Sequence, residues 1–478
     1  MKRFAGMAVL VTAVTLLFGS CKKDETGSFS LDKQAIYLPQ GETVAVTFTA
    51  SNIGVYGVTS TPEGWDEPLI DASTHTIMVT APSTIEDDTE TIGTITFSAK
   101  VNGGSNITAS LFVGIVDTED LSGSPANSYL INKKQTHYLI DGKSKGDGSS
   151  VPTASVDVIW QSQSGLIQYL DFEDGKVSFY VGADDTTTDI KEGNALIGAY
   201  DANGLLVWSW HLWVTDYDPA AESGTVTFNG YTMMTRNLGA LAQSNETTDD
   251  ILSSFGLFYQ WGRKDPFIGP STYQASSGSS AAMYNGSGSR VYLTTEASSA
   301  ETGTVDYAVQ HPLTYITGVS GSENDWLWGT RSNGLWSATA KTVNDPCPAG
   351  WTVAPAAAFE GLAIQGTPAA GDSEKYAWTL GKEGSESLFF GAGRRRYDNS
   401  MIQNLYIPLT DLELALRQTR ADEAQPWEGL YWTTETQNAD AAAFHFWFEK
   451  KTSTGGIQFA EPYARANGMS VRCVRERQ

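Results

Sequence analysis

At 478 residues the chain exceeds what one hydrophobic core can organise, and at ~100–200 residues per domain it divides into about three. Its formal net charge of −24 excludes the electrostatics of nucleic-acid binding, in which lysine and arginine neutralise phosphates, and argues against adsorption to anionic lipid headgroups. Only 18% of the residues are charged, while 47 glycines, 14 tryptophans, 20 tyrosines and 19 phenylalanines stand among abundant Thr and Ser; this usage predicts strands joined by turns, with helices few and short.

Lys2 and Arg3 precede an apolar run from Ala5 to Phe18 that closes on Gly19-Ser20-Cys21. A basic start, an apolar stretch and small residues before a cysteine make residues 1–20 an export signal of the bacterial lipoprotein kind, whose cleavage leaves Cys21 as the lipid acceptor. The run is shorter than the ~20 apolar residues a spanning helix needs. An ordinary secretory signal with an incidental cysteine is the alternative. Lys22-Lys23-Asp24-Glu25 resembles the acidic tag carried behind the lipidated cysteine by surface lipoproteins of the Bacteroidetes type. That resemblance implies attachment to the outer membrane facing the cell exterior, with 21–27 as a lipidated tether; a tether that merely stays solvated is the competing reading.

Between residues 28 and 117 short alternating patterns recur. Val44, Val46 and Phe48 share one face of the segment Thr43–Ala50, and Thr43, Thr47 and Thr49 the other. Similar patterns return at 75–80, 93–97 and 107–116. Their spacing predicts an immunoglobulin-like β-sandwich, and the segment resembles the BACON-like modules that follow the anchor in such lipoproteins, which implies a spacer. Residues 118–126 are polar and turn-rich, as a linker is. A second β-sandwich module is expected over 127–221. It ends in two apolar runs, Gly193–Tyr200 and Leu205–Val214, around Asp201-Ala202-Asn203-Gly204, a hairpin pattern. The string from Gly193 to Val214 resembles a module of Bacteroidetes surface and fimbria-associated lipoproteins. His211, among tryptophans and close to Asp216, invites a catalytic reading; no serine or cysteine elbow accompanies it, and a packed, hydrogen-bonded histidine is the plainer one.

Beyond residue 221 the motifs change. Met234-Thr235-Arg236-Asn237-Leu238-Gly239-Ala240 is followed by Gly256-Leu257-Phe258-Tyr259-Gln260-Trp261-Gly262-Arg263-Lys264-Asp265-Pro266-Phe267. Asp345-Pro346-Cys347-Pro348-Ala349-Gly350-Trp351 comes next, and the series closes with Gly429-Leu430-Tyr431-Trp432-Thr433-Thr434 and Ser470-Val471-Arg472-Cys473-Val474. In this order, over about half the chain, they resemble the Fibrobacter succinogenes major paralogous domain, a bacterial surface-protein family with a C-type-lectin-like fold. The resemblance implies an α+β lectin-like domain over 222–478. The sequence departs from the family after Trp351, where Thr352-Val353-Ala354-Pro355 replaces the expected Arg-Val-Pro.

With Cys21 assigned to lipid, Cys347 and Cys473 remain for each other, and an oxidising compartment makes one disulfide of them; two buried thiols are the alternative. Trp261, Trp351 and Trp432 are most simply core residues.

A carbohydrate site needs aromatic faces for sugar rings and planar polar groups for hydroxyls. Asn324, Asp325, Trp326 and Trp328, after the long loop 269–324, meet that requirement; a turn leading back into the core is the plainer use of them. Glu461-Pro462-Tyr463 stands where a calcium-dependent lectin has Glu-Pro-Asn, and Tyr463 lacks the amide oxygen such a site needs. Arg394-Arg395-Arg396 could receive an anionic sugar or a partner's carboxylate, or serve in structural salt bridges. The five histidines lack metal-ligand spacing. Formylglycine-generating enzymes share the lectin-like fold but depend on reactive thiols, which a disulfide staple does not offer. The expected fold is therefore mainly β, with two β-sandwich domains followed by the lectin-like one. The expected function is non-catalytic recognition of an extracellular glycan or protein, with no metal, cofactor or nucleic acid. A subunit of a surface fimbria, engaging other fimbrial subunits, is the alternative, and a glycan-processing enzyme the third reading.

Overall fold

The structure, a computed structural model, describes residues 26–477 apart from 185, 188, 271–279, 330–331, 366–376, 404–426 and 450–453. The export signal, Cys21 and most of the tether lie outside the described residues. The chain is mainly β, and its helices are short: α1 (Thr248–Phe255), α2 (Val305–Gln310) and α3 (Ala356–Phe359). No helix among the described residues is long and apolar enough to cross a membrane.

By internal packing the chain forms two compact units. The first takes in residues up to 119, with 135–138. Its strands are β1 (Ser28–Leu31), β2 (Ala35–Tyr37), β3 (Thr43–Ser51), β4 (Ile53–Ser60), β5 (Leu69–Asp71), β6 (Thr76–Thr80), β7 (Ile92–Val101) and β8 (Asn106–Gly114). They make two four-stranded sheets, in the orders β1-β3-β6-β5 and β2-β8-β7-β4. Phe29, Val46, Phe48, Ile77 and Val79 from one sheet meet Ile95, Phe97, Leu111 and Val113 from the other in one core, which is the construction of a β-sandwich. The outer face of the first sheet is hydroxylated, and its side chains pair across strands: Ser30 with Thr49 at 2.7 Å and Thr43 with Thr80 at 2.9 Å.

The second unit holds residues 120–134 and 139–477. Its largest sheet has six strands in the order Ser128–Ile131, Leu206–Val214, Gly193–Tyr200, Ser155–Gln161, Met283–Tyr284, Arg290–Val291. The hairpin expected around Asp201–Gly204 is present, with Gly193 opposite Val214 and Ala199 opposite Trp208. Asp201 Oδ1 closes the turn by accepting from the N–H groups of Asn203 and Leu205. From Trp208 to Val214 every residue is buried, so this strand needs cover on both faces. The C-terminal sequence supplies part of it: Trp160, Leu196, Trp213 and Tyr217 share one core cluster with Trp261, Trp326, Trp351 and Trp432. The expected division at 221/222 is thus no seam in the packing. A module whose Leu206–Val214 strand is buried on both faces draws part of its cover from beyond its own sequence.

A four-stranded closing sheet, ordered Thr225–Phe228, Tyr231–Met234, Cys473–Arg475, Trp351–Val353, carries the cystine. Cys347 and Cys473 are bonded, with 6.0 Å between their Cα atoms and a sequence separation of 126; on the chain-entropy account a loop of that size stabilises by ~4–5 kcal/mol. Gly350 makes the turn ahead of Trp351 at φ 77°, a left-handed conformation that glycine adopts without strain. A separate aromatic sheet joins Trp427–Gln437, Asp440–Glu449 and Thr454–Tyr463 in antiparallel order.

Candidate functional site

The segment Asn324–Trp328 splits between core and surface. Ser320–Ser322 forms one short 3₁₀ turn, after which Glu323 and Asn324 adopt left-handed φ values of 51° and 62° and the chain dives inward. Asp325 is fully buried; its Oδ1 accepts from Leu327 N, and its Oδ2 lies 3.8 Å from Arg465. Trp326 is 1% exposed and donates its indole N–H to the carbonyl of Trp261. These two are core residues, which corrects the sugar-contact reading for them. Asn324 is half-buried, and Trp328 alone of the four stands out, 40% exposed.

The other residues singled out in the sequence are also largely structural. Trp261 and Trp432 are fully buried and donate to the carbonyls of Thr433 and Tyr259. His211 is buried between Ser128 Oγ at 2.6 Å from Nδ1 and Asn194 Oδ1 at 2.9 Å from Nε2. Because Asn194 uses its amide nitrogen on Gly239 O, its oxygen faces the imidazole, which assigns the proton to Nε2. Burial brings the His211 pKa down to about 3, so the ring is neutral. Arg395 is buried and donates to the carbonyls of Ser400 and Ile268 and to Ser280 Oγ, and Arg396 pairs with Asp398. The arginine run is therefore chiefly a fold element.

What the sequence reading missed is the outer end of the aromatic sheet. On its middle strand Ala441, Ala443, His445 and Trp447 share one face by alternation. Leu430 and Gln458 stand opposite His445, and Glu428 and Gly456 stand opposite Trp447. At the inner end Leu430, Trp432, Ala441 and Ala443 enter the core. At the outer end the face becomes polar. His445 Nδ1 is hydrogen-bonded to Glu461 and lies 3.2 Å from Tyr463 Oη, while Nε2 is 3.3 Å from a Glu428 oxygen. A register shift between Ala443 and His445 is what brings Glu461 within reach. Burial opposes protonation of this imidazole, but the neighbouring carboxylates of Glu428 and Glu461 outweigh it and raise its pKa.

Trp447 stacks beside His445, with centroids 4.9 Å apart and planes at 30°. Tyr463 meets the imidazole edge-on, and the Arg394 guanidinium lies 5.1 Å from the Tyr463 ring. Glu428 is nearly buried, whereas the Glu461 side chain is 37% exposed. The signal for this cluster was in the text as Glu428, His445 and Glu461 on three consecutive strand patterns, but it needed the register to be read.

An open cavity of about 570 Å³ lies elsewhere in this unit, lined by Asp147, Gly148, Lys341, Gly350, Glu476 and Arg477 among others. Its lysine is already committed to Asp345 and to the carbonyls of Cys347 and Trp351, and no aromatic ring lines it. Among the described residues no group of three or more His, Cys, Asp or Glu side chains is placed to hold a metal ion.

Comparison with known proteins leaves the chain without an assigned family. No family model matches it, and no curated protein does. Solved structures that align with it include the human desmocollin-1 ectodomain, at 14% identity and a TM-score of 0.15 over 42% of this chain and 39% of that one. The titin I-band fragment I67–I69 aligns at 15% identity and 0.14 over 39% and 64%. The Ig1-2 module of the Drosophila receptor tyrosine phosphatase DLAR aligns at 10% and 0.14 over 39% and 98%. Superpositions at these scores support no statement about the fold, ligand or activity of this chain.

Proposed function

We propose that this chain is a non-catalytic recognition protein of the cell surface, held at the outer membrane by lipid on Cys21, whose C-terminal half is a lectin-like domain that binds an extracellular glycan or protein. The observation that carries the reading is the outer end of the aromatic sheet. There a partly exposed indole stands beside polar groups whose directions are fixed by one another, the composition of a recognition surface. The sandwich of the first unit acts as a spacer in this reading, and the cystine as a staple suited to an oxidising exterior.

The test uses the fluorescently labelled mature chain on intact cells and cell-wall preparations. Saturable binding that Trp447→Ala abolishes supports the assignment. Absence of any saturable binding, with the chain instead co-purifying as a stoichiometric part of a fimbrial shaft, transfers it to a structural role. Metabolic labelling with an alkynyl fatty acid tests the anchor, since the label must disappear in Cys21→Ala.

A further inference from the structure

The Trp447 indole lies across its neighbouring strand. A Cβ built on Gly456 would fall 2.4 Å from two of the ring's carbons, closer than any side chain tolerates, so the ring rests on bare backbone. A tryptophan that only filled the core would bury both faces and its edge. This one rests on the glycine backbone and stacks with the His445 imidazole, and the residue remains partly exposed. Glu428 from one flanking strand and Glu461 from the other stand on either side of His445, and Arg394 lies over Tyr463.

We propose that this end of the aromatic sheet is a binding subsite for a neutral saccharide, with Trp447 as the stacking platform for a pyranose ring and Glu461 as the acceptor for its hydroxyls. The inference rests on the recognition reading above and narrows it to one ligand class at one place. Three features select that class. A flat ring backed by backbone offers a plane to the C–H face of a sugar, and it is ordered before the ligand arrives, which lowers the entropic cost of binding. His445 holds one oxygen of the Glu461 carboxylate, so the direction of this partly exposed acceptor is set in advance. The Arg394 guanidinium beside Tyr463 disfavours a cationic ligand, and a chain carrying −24 overall repels sialylated and uronate glycans.

The experiment is a binding panel on the full mature chain. The probes are immobilised neutral hexose and N-acetylhexosamine oligosaccharides, sialylated and polyuronate chains of matched length, and oligolysine. The proposal expects at least one neutral oligosaccharide to bind. Trp447→Ala should then weaken it by about 10-fold or more, Trp447→Phe should restore most of the affinity, and Tyr292→Ala, an exposed aromatic outside the sheet, should change nothing. Glu461→Gln, which keeps the shape, should weaken binding even if Trp447→Ala proves too unstable to assay. The proposal is overturned if only the anionic chains or only oligolysine bind, the latter pointing to a basic peptide partner, or if affinity falls with Trp328→Ala and not with Trp447→Ala. If no neutral oligosaccharide binds while Trp447→Ala still abolishes attachment to cells, the saccharide assignment fails and the recognition reading stands.

Discussion

Asp345 is fully buried and accepts from four donors: Cys347 N at 2.9 Å, Val353 N at 3.1 Å, Thr352 Oγ1 at 2.6 Å and Lys341 Nζ at 3.0 Å. One carboxylate thereby fixes the loop that carries the cystine and satisfies the outer edge of the Trp351–Val353 strand. Asp345→Asn turns an amide donor toward donors and leaves Lys341 uncompensated, so it should cost about 3–5 kcal/mol in urea unfolding; a loss under 1 kcal/mol would show the network to be dispensable. His211 makes stability depend on pH. Its folded-state pKa of about 3 lies below the ordinary 6.5, so its contribution is complete above pH 6.5 and is lost progressively down to about pH 3. The expected slope is up to about 1.4 kcal/mol per pH unit. Thermal melts between pH 4 and 7 should therefore be less steep in pH for His211→Gln than for the parent chain, and equal slopes would sink this assignment.

Elements in this fold are set locally and joined at long range. Helix α1 begins where Thr247 Oγ1 accepts from Asp250 N and Asp250 Oδ2 accepts from Thr247 N, a reciprocal cap. Thr247→Ala should cost about 1 kcal/mol and Thr247→Ser almost nothing, measured by chemical denaturation. Two other local features were legible in the sequence. The alternation in β3 placed Val46 and Phe48 inside and Thr47 outside, and the Asn-Gly turn gave the Gly193–Val214 hairpin, because both depend only on neighbouring residues. The pairing of Cys347 with Cys473 was legible by elimination. The outer end of the aromatic sheet was not, because Glu428, His445 and Glu461 meet only through two strand registers and one irregularity. The burial of Asp325 and Trp326 agrees with the plainer reading of that segment as a turn back into the core, but the left-handed pair Glu323-Asn324 that makes the turn carries no glycine to announce it.

Two units of unequal size make up the whole molecule, and only the second contains the cystine. Differential scanning calorimetry should resolve two transitions. Cys347→Ser with Cys473→Ser, or mild reduction, should lower one of them by about 5–10 °C, as ~4–5 kcal/mol implies for a unit of this size, and leave the other in place. A shift of both together would show the units to unfold as one. Burial on both faces of the Leu206–Val214 strand explains why a division at residue 221 was expected and not found: composition changes there, but the core does not. The closing sheet adds a matter of timing. Its strand Cys473–Arg475 lies between Tyr231–Met234 and Trp351–Val353, and Met233 pairs with Val474, so roughly 240 residues must be made after the first partner before the middle place is filled. At ~5–20 residues per second a ribosome takes on the order of 10–50 s over that stretch. Throughout that delay two prospective neighbours wait with a gap between them, and a chaperone or a translocation channel has an unfinished polypeptide to hold.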